Sequence, residues 1–265
     1  MDFEIIDFHT HPFLRPKTNI CNHKDIIPMD AKYTLELMRS LEVSRICGSV
    51  VYTWEPEYGT YWDKVKQNND EALALRELYG DFYIPGFHVH PDFVRQSLEE
   101  VERMHSLGVS LVGELVPYID NWSEKDDGYA GKNLIEILKL CEEYEMTVSL
   151  HSGDVYPQGI LAKELPRLKV VSAHPGEYHD FMRHVELMQK YENFYLDLSG
   201  YGVFRHGMLR AGIDMCGADR FIFGSDYPTC NPAMYIGAVT LDPSITDSER
   251  ELILAGNAKR LLGLK

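Results

Sequence analysis

The sequence is poor in features that would place it outside the ordinary globular class. Its five cysteines (Cys21, Cys47, Cys141, Cys216 and Cys230) are odd in number and scattered, with no C-x-x-C pair. That pattern argues against a disulfide framework and for reduced, mostly buried thiols. The start, Met1-Asp-Phe-Glu, has no basic n-region and no apolar h-region, so no signal peptide is expected. No apolar run approaches the roughly 20 residues that span a bilayer. A cytoplasmic protein is the expectation. Gly/Ser linkers, internal repeats and low-complexity segments are missing too, and one domain over residues 1–265 is the simplest reading. Basic residues are also short: 26 Lys and Arg face 41 Asp and Glu, a net charge of −15. The summed field repels phosphates, which disfavours nucleic acid and anionic membrane as partners. A small-molecule substrate, even an anionic one, stays open because a bound cation reverses the local potential. So does a homo-oligomer.

What is present is a regular alternation. Short apolar runs at 3–8, 45–52, 82–87, 109–115, 147–150, 170–173, 194–198 and 221–223 read as strands. They are near-continuous rather than alternating, as in a parallel sheet covered on both faces. Helical spacing lies between them. Asp30 caps a helix carrying Leu35, Met38 and Leu41; a second runs over 61–79 and closes at Gly80. Phe93, Leu98, Val101, Met104 and Leu107 mark the next, and Leu134, Ile137, Leu138, Cys141 and Tyr144 another. A polar loop is expected from the fourth strand through Gly131, and a short helix, interrupted by Pro157 and Pro166, after the fifth. The last helix, 247–262, opens on Thr246 with Glu249 three residues on, a capping-box spacing. Eight strand–helix alternations in 265 residues fit a (β/α)8 barrel. A doubly wound sheet binding a dinucleotide would need a Gly-rich first turn, and here that turn is His-Thr-His-Pro.

Polar residues gather where the strands end. His9 and His11 follow the first strand at i, i+2, so both imidazoles leave one side of an extended backbone and suit a divalent ion such as zinc. Two histidines in a surface turn would look the same. His88 and His90 end the third strand, Glu114 the fourth, His151 the fifth, His174 the sixth and Asp226 the eighth. In a barrel these ends share one face, where active sites sit. Each alone could be a lone hydrogen-bonding residue; six coincidences of metal-ligand types are harder to accept. His23, His105, His179, His184 and His206 read as surface or helix residues.

The segments VVSAHPGE (170–177), NFYLDLSG (193–200), RFIFGSDYP (220–228) and GNAKRLLGL (256–264) resemble the amidohydrolase superfamily, most closely its family 2 branch of metal-dependent TIM-barrel enzymes. The resemblance implies that His9, His11, His151 and Asp226 are metal ligands, and that His174 is a second-metal ligand or an acid/base residue. Glu114 stands where two-metal members carry a bridging anion; the alternative is an acceptor for a ligand imidazole N–H. One or two divalent ions follow, Zn2+ first and Mn2+ second. Asp226 would take a proton from water and return it to the leaving group, and His174, if off the metal, would polarise a carbonyl. Arg15, Tyr52, Trp54, Tyr201 and Arg205 follow strands one, two and seven and are substrate-binding candidates, an arginine being suited to a carboxylate. Each reads equally well as a surface-loop residue. His90 joins them as a pocket-lining residue, because a ligand pair on the third strand is foreign to the family pattern. The expected activity is hydrolysis of an amide, ester or lactone of a small molecule. The alternatives are non-oxidative decarboxylation or hydration of a small carboxylic acid, and a non-enzymatic metal-binding barrel.

Overall fold

Each apolar run becomes a strand, and the strands pair in the order in which they occur. The computed structural model describes residues 3–14, 29–122, 128–202 and 205–265. The strands are β1 (Ile6–Asp7), β2 (Arg45–Gly48), β3 (Tyr83–Phe87), β4 (Leu111–Leu115), β5 (Thr147–Leu150), β6 (Lys169–Ser172), β7 (Phe194–Asp197) and β8 (Phe221–Ile222). All seven ladders between neighbours are parallel, in a single eight-stranded sheet. Parallel neighbours need crossovers, and helices supply them. These are α1 (Ala31–Ser40), α2 (Tyr61–Tyr79), α3 (Val94–Ser106), α4 (Pro117–Asp120), α5 (Lys132–Glu143), α6 (Val155–Glu164), α7 (Tyr178–Lys190) and α8 (Met208–Cys216). After β8 come α9 (Pro232–Thr240), α10 (Asp247–Glu251) and α11 (Asn257–Leu262).

The sheet curls, but no β8–β1 ladder closes it among the described residues. Single hydrogen bonds and one bridge stitch the two edges instead. Phe8 N donates to Phe223 O (3.0 Å), Asp226 N to His9 O (2.9 Å) and His11 N to Tyr227 O (2.6 Å), beside a Thr10–Tyr227 bridge. This qualifies the expected (β/α)8 barrel, and the cause is local. β1 and β8 are two residues each, and the backbone leaves strand geometry at once to carry the site, Asp226 at φ 61°.

Several local expectations hold. Asp30 caps α1 by accepting from Tyr33 N, α2 spans the expected 61–79, and both arms of the Thr246–Glu249 capping box form. Pro157 sits in the first turn of α6, where its missing N–H is harmless. Others need correction. The last helix is broken by a π-turn at Leu252–Gly256, and the loop after β4 contains α4. On α3 the expected core residue Leu107 is 43% exposed, while Glu100 is buried against Arg103 and Asn69.

Most apolar side chains form one core between sheet and helices. A smaller cluster joins Ile6, Cys47, Leu111 and Ile222 of four strands to Ala258, Leu261 and Leu262 of α11. Thr147 Oγ1 and Lys169 Nζ, at the starts of β5 and β6, both donate to Leu261 O (2.8 and 2.9 Å). α11 thereby covers the N-terminal end of the sheet. The C-terminal end stays open to the polar residues.

Candidate metal centre

Six of the residues expected at strand ends converge on one buried point. Glu114 is its middle. One carboxylate oxygen, Oε2, lies 3.4 Å from His9 Nε2 and 3.4 Å from His11 Nε2. The other, Oε1, lies 2.9 Å from His151 Nδ1 and 3.2 Å from His174 Nε2. The His9 and His11 Nε2 atoms are 3.1 Å apart, and Asp226 Oδ1 approaches them from β8 at 3.8 and 3.6 Å. Two groups of metal-type donors result, His9–His11–Glu114 and Glu114–His151–His174, and His9–His174–Asp197 forms a third. A tetrahedral ion with bonds of about 2.0–2.1 Å spaces its ligands about 3.3–3.4 Å apart. The separations straddle that figure, so the donor set fits a divalent cation in both chemistry and spacing.

The backbone is shaped to present these groups. Gly113, before Glu114, has φ +88°, and a Cβ there would stand 2.3 Å from Ser149 O. Only glycine fits. His174 (φ 67°) and Asp226 (φ 61°) are themselves left-handed, a conformation that costs a non-glycine residue about 1–2 kcal/mol. Such strain persists where surrounding structure over-determines it, and here it lies on two site residues.

The outer ring nitrogens are held as well. His11 Nδ1 donates to Ser49 O (2.9 Å), and His9 Nδ1 to Asp197 Oδ2 (2.8 Å). Burial opposes charge on His9, but Asp197 and Glu114 outweigh it and hold its pKa well above the ordinary range. His174 is raised too, Glu114 overriding the effect of burial. Burial would lift Glu114, yet His9 and His151 keep it well below the usual carboxylate range. Asp226 is raised by burial, with His9 pulling the other way. Carboxylates that draw this much positive charge onto imidazoles suit a divalent cation, which competes with protons for the same atoms.

The substrate-binding candidates fare differently. Tyr201 is exposed, lines a cavity beside the cluster and donates to Glu177 Oε1 (2.9 Å); Arg205 pairs with the same carboxylate. Tyr52 donates to Glu71 Oε1 (2.7 Å) and packs on Phe13, and Trp54 packs at a tilt against Tyr61; neither lines the cavities beside the cluster. Arg15 lies outside the described residues. His90 is corrected: it is buried, Nε2 donating to Asp120 O (2.9 Å) and Nδ1 accepting from Asp92 N (3.2 Å), which leaves no ring nitrogen for substrate. His88 is equally internal, donating to Val50 O (2.8 Å). His184 is no surface residue but is fully buried on α7. Sequence reading assigned no role to Asp197 and Ser199, which hold the outer nitrogens of His9 and His174. The strand-end rule applied to β7 would have found Asp197. Tyr118, whose ring centroid lies 5.3 Å from that of His151 in an edge-on arrangement, was also missed.

Two cavities flank the cluster and share His151, His174, Asp226 and Thr229. One, about 630 Å³, extends past Gly200, Tyr201, Met234 and Tyr235; the other, about 310 Å³, is bounded by His11, Val51, Glu114, Tyr118 and Ile119. No Lys or Arg is among the described residues lining either. No helix among the described residues is long and apolar enough to cross a membrane.

No curated protein matches the chain by sequence. Among solved structures, an uncharacterized TIM-barrel protein from Bordetella bronchiseptica is similar at TM-score 0.76 and 21% identity, over 98% of this chain and 99% of that one. The 2,6-dihydroxybenzoate decarboxylase from Rhizobium is similar at 0.72 and 16%, over 98% and 99%. A dihydroxybenzoic acid decarboxylase from Polaromonas sp., with bound manganese and 2-nitroresorcinol, gives 0.70 and 15%, over 98% and 97%. At these identities the likeness is one of fold. A family model described as Amidohydrolase matches residues 6–264, a span that takes in all eight strands and every residue of the cluster. By that match the chain belongs to the amidohydrolase family, in its family 2 branch.

Proposed function

We propose that this protein is a metal-dependent hydrolase of a small molecule, opening an amide, ester or lactone at the Glu114 cluster of one (β/α)8 domain spanning 1–265. The observation that carries the reading is Glu114, with one oxygen toward His9 and His11 and the other toward His151 and His174. In this reading His9, His11 and Asp226 would hold one divalent ion and His151 and His174 a second, with the Glu114 carboxylate between the two groups, Zn2+ first and Mn2+ second. A divalent ion there supplies an acidified water at neutral pH and positive charge against a developing oxyanion. Asp226, buried at the cluster's edge, accepts the proton of the attacking water and returns it to the leaving group. The two cavities receive the parts on either side of the scissile bond, and Tyr118 and Tyr201 contact them from opposite sides.

Decarboxylation of a small carboxylic acid is the second reading, and the names of the structural neighbours favour it over hydrolysis. Hydrolysis stands first because of the position of Glu114 between the two histidine pairs. Asp226→Asn tests both readings. Protein grown with zinc or manganese is expected to carry one to two equivalents by elemental analysis. An ester, amide and lactone panel is followed by acid release, and a carboxylic-acid panel by CO2 evolution. The variant should lose at least ~100-fold in kcat with its circular dichroism unchanged, since an amide cannot take the proton. CO2 evolution without hydrolysis would move the protein to the second reading. Folded protein that cannot be loaded above ~0.2 equivalents would end both.

A further inference from the structure

The Ser199 hydroxyl lies where the two halves of the cluster meet. Ser199 is fully buried two residues beyond β7, and three groups share its oxygen: Asp197 Oδ1, His9 Nδ1 at 3.1 Å and His174 Nδ1 at 3.0 Å. A hydroxyl has one proton and two lone pairs, and a carboxylate oxygen only accepts. The proton therefore goes to Asp197, and both lone pairs are left for donors. Both imidazoles must then carry their proton on Nδ1. For His9 the same result follows independently, because Asp197 Oδ2 lies 2.8 Å from that nitrogen. For His174 the hydroxyl is the Nδ1 partner among the described residues. Both Nε2 atoms thereby face inward, His9 towards Glu114 Oε2 and His174 towards Glu114 Oε1. The pocket around His174 is tight: a Cβ at Gly200 would stand 2.3 Å from its Nδ1.

We propose that Ser199 is a positioning residue that fixes His174 as a ligand of the second ion, and that through one hydroxyl it ties that ion's position to the His9 side. The proposal rests on the two-ion reading of the site and not on the reaction, so it is tested without turnover. It makes an asymmetric prediction. Ser199→Ala leaves His9 held by Asp197 but frees His174, so one ion should weaken and the other should not.

The metal-free protein is titrated with Zn2+ by calorimetry against a competing chelator, and with Co2+ by its visible spectrum. Wild type should take two ions. In Ser199→Ala the affinity of one should fall about 10–100-fold, and the other should change by less than about 3-fold. The cobalt band of the weakened site should change, as the imidazole no longer holds one orientation. His174→Ala should keep a single ion, and adding Ser199→Ala to it should leave that ion's affinity unchanged. If Ser199→Ala does not fold, Ser199→Cys, which keeps a weak acceptor, should show the same asymmetry at smaller size. Equal weakening of both ions, no weakening of either, or a wild type that takes only one ion would each overturn the proposal.

Discussion

Acid should destabilise this protein in part through His184, and a His184→Gln variant measures how much. The ring is fully buried, with Nδ1 donating to Asp180 O (2.8 Å) and Nε2 accepting from Ser172 Oγ (2.9 Å). Both nitrogens are committed to a neutral imidazole. Burial pushes the pKa from its ordinary 6.5 down to about 4, the Asp180 carbonyl offsetting only part of this. Below pH 6.5 the unfolded chain takes up a proton that the folded chain refuses, so the unfolded state binds more protons and stability falls with acidification. The loss begins near 6.5 and is complete near 4; the gap corresponds to about 3 kcal/mol. Other groups titrate in the same window, so the quantity to follow is the difference between wild type and variant, in which they cancel. Urea unfolding of metal-free protein, read by circular dichroism at steps from about pH 4 to about pH 7, supplies it. Wild type should gain about 3 kcal/mol on the variant across that range. A difference flat to within about 0.5 kcal/mol would mean that His184 is not held neutral by the fold.

Two further substitutions probe the cluster. Glu114→Ala should leave at most about one metal equivalent by elemental analysis, because two cations would face each other with no anion between them. An unchanged two equivalents would exclude bridging. Gly200→Ala should lower the melting temperature, the left-handed backbone alone costing about 1–2 kcal/mol of stability, and should deplete the ion on the His174 side because the new methyl meets that ring.

The convergence of the strand-end residues was more legible in the sequence than the closure of the sheet that carries them. His9, His11, Glu114, His151, His174 and Asp226 could be grouped because parallel strands bring their C-terminal ends to one face whatever the details of closure. Strand lengths were less visible. The run at 3–8 is mostly apolar, yet only Ile6–Asp7 pairs as strand, since hydrogen-bond register is not written in hydrophobicity. His90 misled for a related reason. Its spacing from His88 mimics a ligand pair, but whether an imidazole faces a cavity or a backbone carbonyl depends on the loop after β4, which brings Asp120 O to it. Ser199 had no signal of its own, because a serine after a strand is common and its meaning here comes from two histidines 190 and 25 residues away.

The seam between β1 and β8 has a consequence for the life history of the molecule. His9 and Asp226 face each other across it, although 217 positions of sequence, from 9 to 226, separate them. Contacts so distant in sequence form late, because the intervening chain must already be ordered. Until the ends meet, His9 and His11 are not brought to Asp226, and the ion proposed for these three residues has no complete set of ligands. A cation taken up afterwards binds only the joined form, and by mass action holds the two ends together. Such an ion would therefore also protect the backbone amides of Phe8, His11 and Asp226, which make the seam's hydrogen bonds, from opening.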